Sequence, residues 1–135
     1  MSHITLVDVQ VSNLAALEKA GTRVGLKLDM TAKKFRSYNT MTCDGKLYNP
    51  LNKAGFEIGL RLQANETYGM LVDHYMGGNG TTRMVESEPG AHDLGMLMKY
   101  YAEEVAVDEL EQQGYMVERL TLDNGELELV ATSYA

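Results

Sequence analysis

The sequence predicts an α+β domain: a mainly antiparallel sheet with two helices packed on one face, a ferredoxin-like elaboration. Three observations lead there. Several short segments alternate apolar and polar residues with period two, and two others, near either end of the chain, repeat apolar residues at helical spacing. The order strand, helix, strands, helix, two strands lets the helices share one face while the strands pair as hairpins, so the alternating segments are expected to fuse into one sheet. With 135 residues and 44% hydrophobic content, the chain suffices for one sizeable core and is too short for two ordinary domains, so residues 1–135 read as a single domain.

Ile4 to Val11 alternates around Val7, Val9 and Val11, as a half-buried strand does. Ser12 or Asn13 can cap a helix striped by Leu14, Leu17, Ala20 and Val24, and Gly25 supplies its stop. Residues 26–54 are less regular, with an edge-strand pattern at Lys33–Tyr38 and a hairpin-turn pattern at Cys43-Asp44-Gly45-Lys46. Phe56, Ile58, Leu60 and Leu62 then oppose Glu57, Arg61 and Gln63, and Asn65-Glu66 returns the chain into Tyr68–Tyr75, which makes a long hairpin. The stretch from Gly77 to Pro89-Gly90 lacks periodicity and reads as a flexible loop over 77–91. Leu94, Leu97, Met98, Tyr101 and Val105 stripe the longest helix, Asp93–Gln113, ended by Gly114; Tyr115–Leu122 and Glu126–Thr132 flank Asp123-Asn124-Gly125 in a closing hairpin.

The net charge of −7 argues against nucleic acid as a partner, since phosphate repels an acidic surface. Residues 1–54 sum to +4 and the remainder to −11, a dipole able to favour head-to-tail self-association or to steer a charged partner, although charge runs are commonly just solvated faces. No apolar run approaches the roughly 18 residues of a membrane span. The lone Cys43 makes no internal disulfide, and the opening Met1-Ser2-His3-Ile4-Thr5-Leu6 lacks a secretory pattern. A reducing compartment is expected: the cytoplasm, a plastid stroma, or the host cytoplasm of a virus.

Ordered segments resemble one family. Met1-Ser2-His3 opening a strand, the Leu14-Ala15-Ala16-Leu17-Glu18-Lys19-Ala20 run with Gly25, Ala54-Gly55-Phe56-Glu57-Ile58-Gly59-Leu60-Arg61 leading to Tyr68–Asp73, then Tyr101-Ala102, Gln113-Gly114-Tyr115 and Asp123-Asn124-Gly125 follow one another along the chain. Together they resemble the hypothetical chloroplast reading frame family number thirty-five, a domain of unknown function found in cyanobacteria, plastids and other bacteria. The resemblance covers roughly three quarters of the chain, departing over 26–54 and in the 77–91 loop. It implies the order of the elements and a non-secreted protein, and it carries no catalytic residue with it.

His3, His74 and His92 are too scattered for a metal-ligand spacing, so neither metal nor cofactor is expected. Cys43 has an acidic neighbour, which raises a thiol pKa, and reads as inert. The glycines of 77–80 lack the Lys and Ser or Thr of a phosphate loop. Asp73-His74 is more informative. With a two-residue turn at Asn65-Glu66, Asp73 shares a face with Ile58; with a three-residue loop at 64–66, His74 lies opposite Phe56. In the plainer reading His74 packs at the core rim and Asp73 meets water. In the functional reading Arg61, Tyr68, Asp73 and His74 surround a small-ligand cleft beside the sheet, the site of a small enzyme or a ligand-sequestering protein. Finally, Met96, Tyr100 and Val107 form a second apolar line on the last helix, and nine methionines suit adaptable contacts. The leading expectation is a non-enzymatic binding or adaptor domain, a homo-oligomer associating through that line and edge strands, with a loop-lined groove for a protein or a small ligand.

Overall fold

The computed structural model describes residues 4–74 and 80–133; His3, Tyr75 and the glycine run at 77–79 lie outside the described residues. In chain order the elements are β1 (Ile4–Val11), α1 (Leu14–Arg23), β2 (Lys27–Asp29), β3 (Lys34–Arg36), β4 (Thr40–Thr42), β5 (Lys46–Tyr48), β6 (Ile58–Leu62), β7 (Tyr68–Asp73), α2 (Thr82–Val85), α3 (Gly95–Gln112), β8 (Tyr115–Thr121) and β9 (Leu127–Ser133). The class is α+β, and every described strand pair is antiparallel.

The expected single sheet is divided. A five-stranded sheet has the order β1-β7-β6-β5-β2, while β3-β4 and β8-β9 form two separate two-stranded sheets. On one face of the central sheet, Leu47, Ile58, Leu60, Met70 and Val72 pack with Leu17 and Ala20 of α1 and Leu97 and Tyr101 of α3 in a single buried cluster. Each such side chain, taken from water, contributes about 1.5–3 kcal/mol. The helical stripes read from the sequence supply the roof.

The start of α1 is fixed twice. The Asn13 side chain accepts the Ala16 N–H at 3.0 Å, as a helix cap does. The Tyr101 hydroxyl accepts the Ser12 and Asn13 N–H groups at 3.1 and 3.2 Å, so α3 holds the entry to α1. Gly25, at φ +88°, provides the left-handed stop that other residues adopt only under strain.

The other face of the sheet is closed by β3-β4, where Phe35 and Cys43 bury against Leu71. Phe35 comes so near that a Cβ on Gly59 would run into its ring, which only glycine avoids. Buried acids fasten this flap. Glu57 accepts the Arg36 N–H at 2.7 Å and pairs with Lys46 at 2.9 Å, and Asp73 accepts the Tyr38 N–H at 2.9 Å. The segment Cys43 to Lys46, expected as a hairpin turn, instead passes from β4 in one sheet to β5 in another. Asp44 guides that passage, its N–H donating to the Leu60 carbonyl at 2.7 Å and its carboxylate accepting the Leu62 N–H at 2.8 Å.

Candidate functional site

The hairpin register settles how the candidate residues are distributed. The Gln63 N–H donates to the Thr67 carbonyl at 2.8 Å and Glu66 adopts φ +64°, so residues 64–66 form the three-residue loop. Leu60 faces Met70, Arg61 faces Gly69, and Leu62 faces Tyr68. Arg61 and Asp73 therefore share the flap-side face, but four residues of strand, about 13 Å, separate them. Tyr68 lies on the opposite, core-side face and packs at the edge of the main cluster. The cleft expected around Arg61, Tyr68, Asp73 and His74 is not assembled. Arg61 donates to the Thr42 carbonyl at 3.3 Å, and Asp73 is 2% exposed, not at the surface as the plainer reading had it. Its acid side chain, at the end of β7, serves the flap.

Asp73 borders only a small pocket shared with Glu57, Thr81, Thr82 and Val85, while His74 touches two residues, Thr82 and His92, that line a larger cavity. Its Nδ1 lies 3.4 Å from the Thr82 hydroxyl, and its ring meets that of His92 edge to face with centroids 5.7 Å apart. The imidazole is held below its ordinary value of 6.5, first by burial and then by the neighbouring His92, against the opposing pull of Asp73, Asp93 and Glu86. Beside this pair is a cavity of about 750 Å3 lined by Thr82, Arg83, Glu86, Ser87, Glu88, Pro89, Gly90, His92 and Met96, a volume within the range of small-molecule sites.

The wall of this cavity is the stretch expected to be a flexible loop. Between Gly80 and Asp93 it contains α2 and is pinned by two carboxylates. Glu86, itself buried, accepts the Gly90 and His92 N–H groups at 3.1 and 3.2 Å. Asp93 accepts the Ser87 N–H and hydroxyl, both at 2.7 Å, and the Gly95 N–H at 3.1 Å. Those donors hold the Asp93 carboxyl below its usual range, the Ser87 hydroxyl first among them. Between the two clamps His92 takes φ +54°, a conformation costing a non-glycine residue about 1–3 kcal/mol. Sequence reasoning missed Thr82, Arg83, Glu86 and Glu88. Their signal was faint: Ser87 lies six residues before Asp93, a polar pair bracketing Pro89-Gly90.

The helix line expected to bind a partner is mostly covered from within. Val107 is 5% exposed. The Arg23 guanidinium lies 3.8 Å above the Tyr100 ring and pairs with Glu103 at 2.9 Å, and Met96 faces the cavity. Exposed large apolar residues are scattered over the body, at Leu6, Leu51 and Leu62, and gather on β8 and just beyond it, at Met116, Leu120 and Leu122, which are 51%, 44% and 41% exposed. The hairpin is held to α3 by Arg119, whose two terminal nitrogens donate to the Glu104 carboxylate at 2.8 and 2.9 Å. That contact holds the Glu104 pKa down and raises that of Arg119.

Compared with known proteins, the chain matches no family model, no curated protein and no solved structure. Among the described residues, no helix is long and apolar enough to cross a membrane, and no group of three or more His, Cys, Asp or Glu is placed to hold a metal ion.

Proposed function

We propose that this chain is a binding or adaptor domain that self-associates through its closing hairpin and holds a small ligand in the cavity between α2 and α3. One observation carries the association: β8-β9 is a two-stranded sheet that joins no other described strand and has apolar side chains on both faces. Two strands alone are marginal in water. Only one face is occupied by α3, through Arg119, and the other presents Met116 and Leu120.

The edge of β9 favours a second copy as the partner. Natural edges are guarded by Lys, Pro or bulges, whereas Leu127–Ser133 contains none of these and a single charge, Glu128. Antiparallel pairing about a two-fold axis at Val130 sets residue 128 opposite residue 132, so Glu128 meets Thr132 and not its own mate. The product is a four-stranded sheet.

The test is light scattering after size exclusion. The wild type is expected to be dimeric, and Val130→Lys, which places two ammonium groups face to face at the axis, to be monomeric with an unchanged far-UV spectrum. A monomeric wild type at micromolar concentration sinks the association. Salt separates this arrangement from a head-to-tail one: two acidic ends brought together associate more tightly as salt screens them, whereas a basic end on an acidic end loosens.

A second reading, an enzyme, rests on His74. An imidazole kept neutral near pH 7 and 3.4 Å from the Thr82 hydroxyl has the geometry of a base beside a weak nucleophile. Native mass spectrometry of the purified protein tells the two readings apart, since a binder releases its ligand unaltered. The kinship with the reading-frame family belongs to the same proposal. It is supported by the order of the shared segments, and the cytoplasmic or stromal setting goes with it.

A further inference from the structure

The cavity wall has a charge pattern that narrows what it takes. Arg83 and Glu88 both line it, both are exposed, and neither forms a salt bridge among the described residues, with each other or with any other group. The remaining acid, Glu86, already spends its two carboxylate oxygens on the Gly90 and His92 N–H groups. One cation and one anion are thus left facing the same space, separated by a turn of chain that Glu86 and Asp93 keep from collapsing. The apolar atoms of Met96, half-buried, and of Pro89 line the same cavity.

We infer that the cavity binds a zwitterion with an apolar body: a free α-amino acid of the leucine or methionine kind. The carboxylate suits the Arg83 guanidinium, which can donate two parallel hydrogen bonds to it. The ammonium suits Glu88, and the side chain lies on Met96 and Pro89. A lone anion leaves Glu88 repelling it, and a lone cation is repelled by Arg83, so a singly charged ligand satisfies only half the site. This rests on the reading above that the cavity is the binding site, and it adds the class of ligand.

Isothermal titration with L-leucine tests it, alongside two analogues that each lack one charge, 4-methylpentanoate and 3-methylbutylamine. Leucine is expected to bind at least about tenfold more tightly than either analogue, the worth of one charge-assisted contact. Arg83→Ala and Glu88→Gln, both surface changes, should each remove about that factor while leaving the thermal midpoint and the oligomeric state unaltered. If leucine and methionine bind no better than the analogues, or bind equally well to both variants, the inference is overturned. If no amino acid binds at millimolar concentration while native mass spectrometry finds another molecule in the wild type, displaced on Arg83→Ala, the zwitterion is wrong and the cavity remains a ligand site. If nothing binds and nothing copurifies, both fall together.

Discussion

The body of the molecule and its closing hairpin are built from similar strands yet solve the problem of burial differently. β6 and β7 alternate as a sheet should, and over most of their length each face has a cover: α1 and α3 on one side, Phe35 of the β3-β4 flap on the other, with Leu62 at the end of β6 left exposed. β8 and β9 pair over seven residues with equal regularity, but α3 covers a single face and Met116, Leu120 and Leu122 remain exposed. Local pattern is enough to make a hairpin. Whether it becomes core depends on what the rest of the chain can lay over it, and here α3 has already committed its apolar stripe to the central sheet.

The sharpest way to break this contrast is to cut side chains in both regions. Leu60→Ala and Leu97→Ala, at fully buried positions, should each cost about 2–5 kcal/mol in urea unfolding, the transfer and cavity loss of a core leucine. Leu120→Ala, on the uncovered face, should fall within about 0.5 kcal/mol in a monomeric background and yet weaken self-association. Comparable losses at both places would mean that the hairpin belongs to the core after all.

A second test adds bulk instead of removing it. Gly59→Val forces side-chain atoms into the Phe35 ring, so the flap must shift, at about 1–3 kcal/mol. The loss should appear in the unfolding midpoint together with new reactivity of Cys43, whose thiol is buried under the same flap. Unchanged thiol reactivity with full loss of stability would place the damage elsewhere in the sheet.

The flap also shows where sequence reasoning stopped. The two helices, the Ile58–Leu62 and Tyr68–Asp73 hairpin and the closing pair were legible because each repeats a period over five or more residues. β3, β4 and β5 are three residues each, too short for a period, and their arrangement follows from contacts between residues far apart: Glu57 with the Arg36 N–H, Asp73 with the Tyr38 N–H, Phe35 over Gly59. The candidate site was illegible for the same reason. Arg83, Glu88 and Met96 come together only because Glu86 and Asp93 fold the intervening chain on itself. Asp73, read as a mid-strand carboxylate, is the last residue of β7, and it accepts a backbone N–H from the flap.

The joint between body and hairpin gives a smaller effect with a defined pH window. The Glu104 carboxylate, buried on α3, is held below its ordinary value of 4.5 chiefly by its hydrogen bonds with Arg119. A carboxylate depressed in the folded state contributes stability that is fully present above 4.5 and is lost as pH falls through the lower folded value. Glu104→Gln should therefore loosen β8 and β9 by about 1.5 kcal/mol, the low end for a charge-assisted pair because Arg119 is partly exposed. Hydrogen exchange of residues 115–133 is expected to speed up at pH 7, while residues 58–73 keep their protection. Uniform acceleration in both segments would unite the two regions that the first test separates.

His74 should give the smallest change, and its direction distinguishes burial from pairing. Its folded-state pKa lies below 6.5 because burial and His92 disfavour the charged ring. The unfolded chain therefore takes up this proton first as pH falls, so the contribution is whole above about 6.5 and drains away as pH descends through the folded value. If carboxylates governed the ring instead, the folded pKa would be raised and the body would gain stability over the same interval. Histidine NMR titration reads the sign directly. A His74 midpoint below that of a histidine in a short peptide, moving upward in His92→Gln, is expected. A midpoint above it would show that Asp73, Asp93 and Glu86 outweigh burial, and the cavity's edge would then be anionic in character and not neutral.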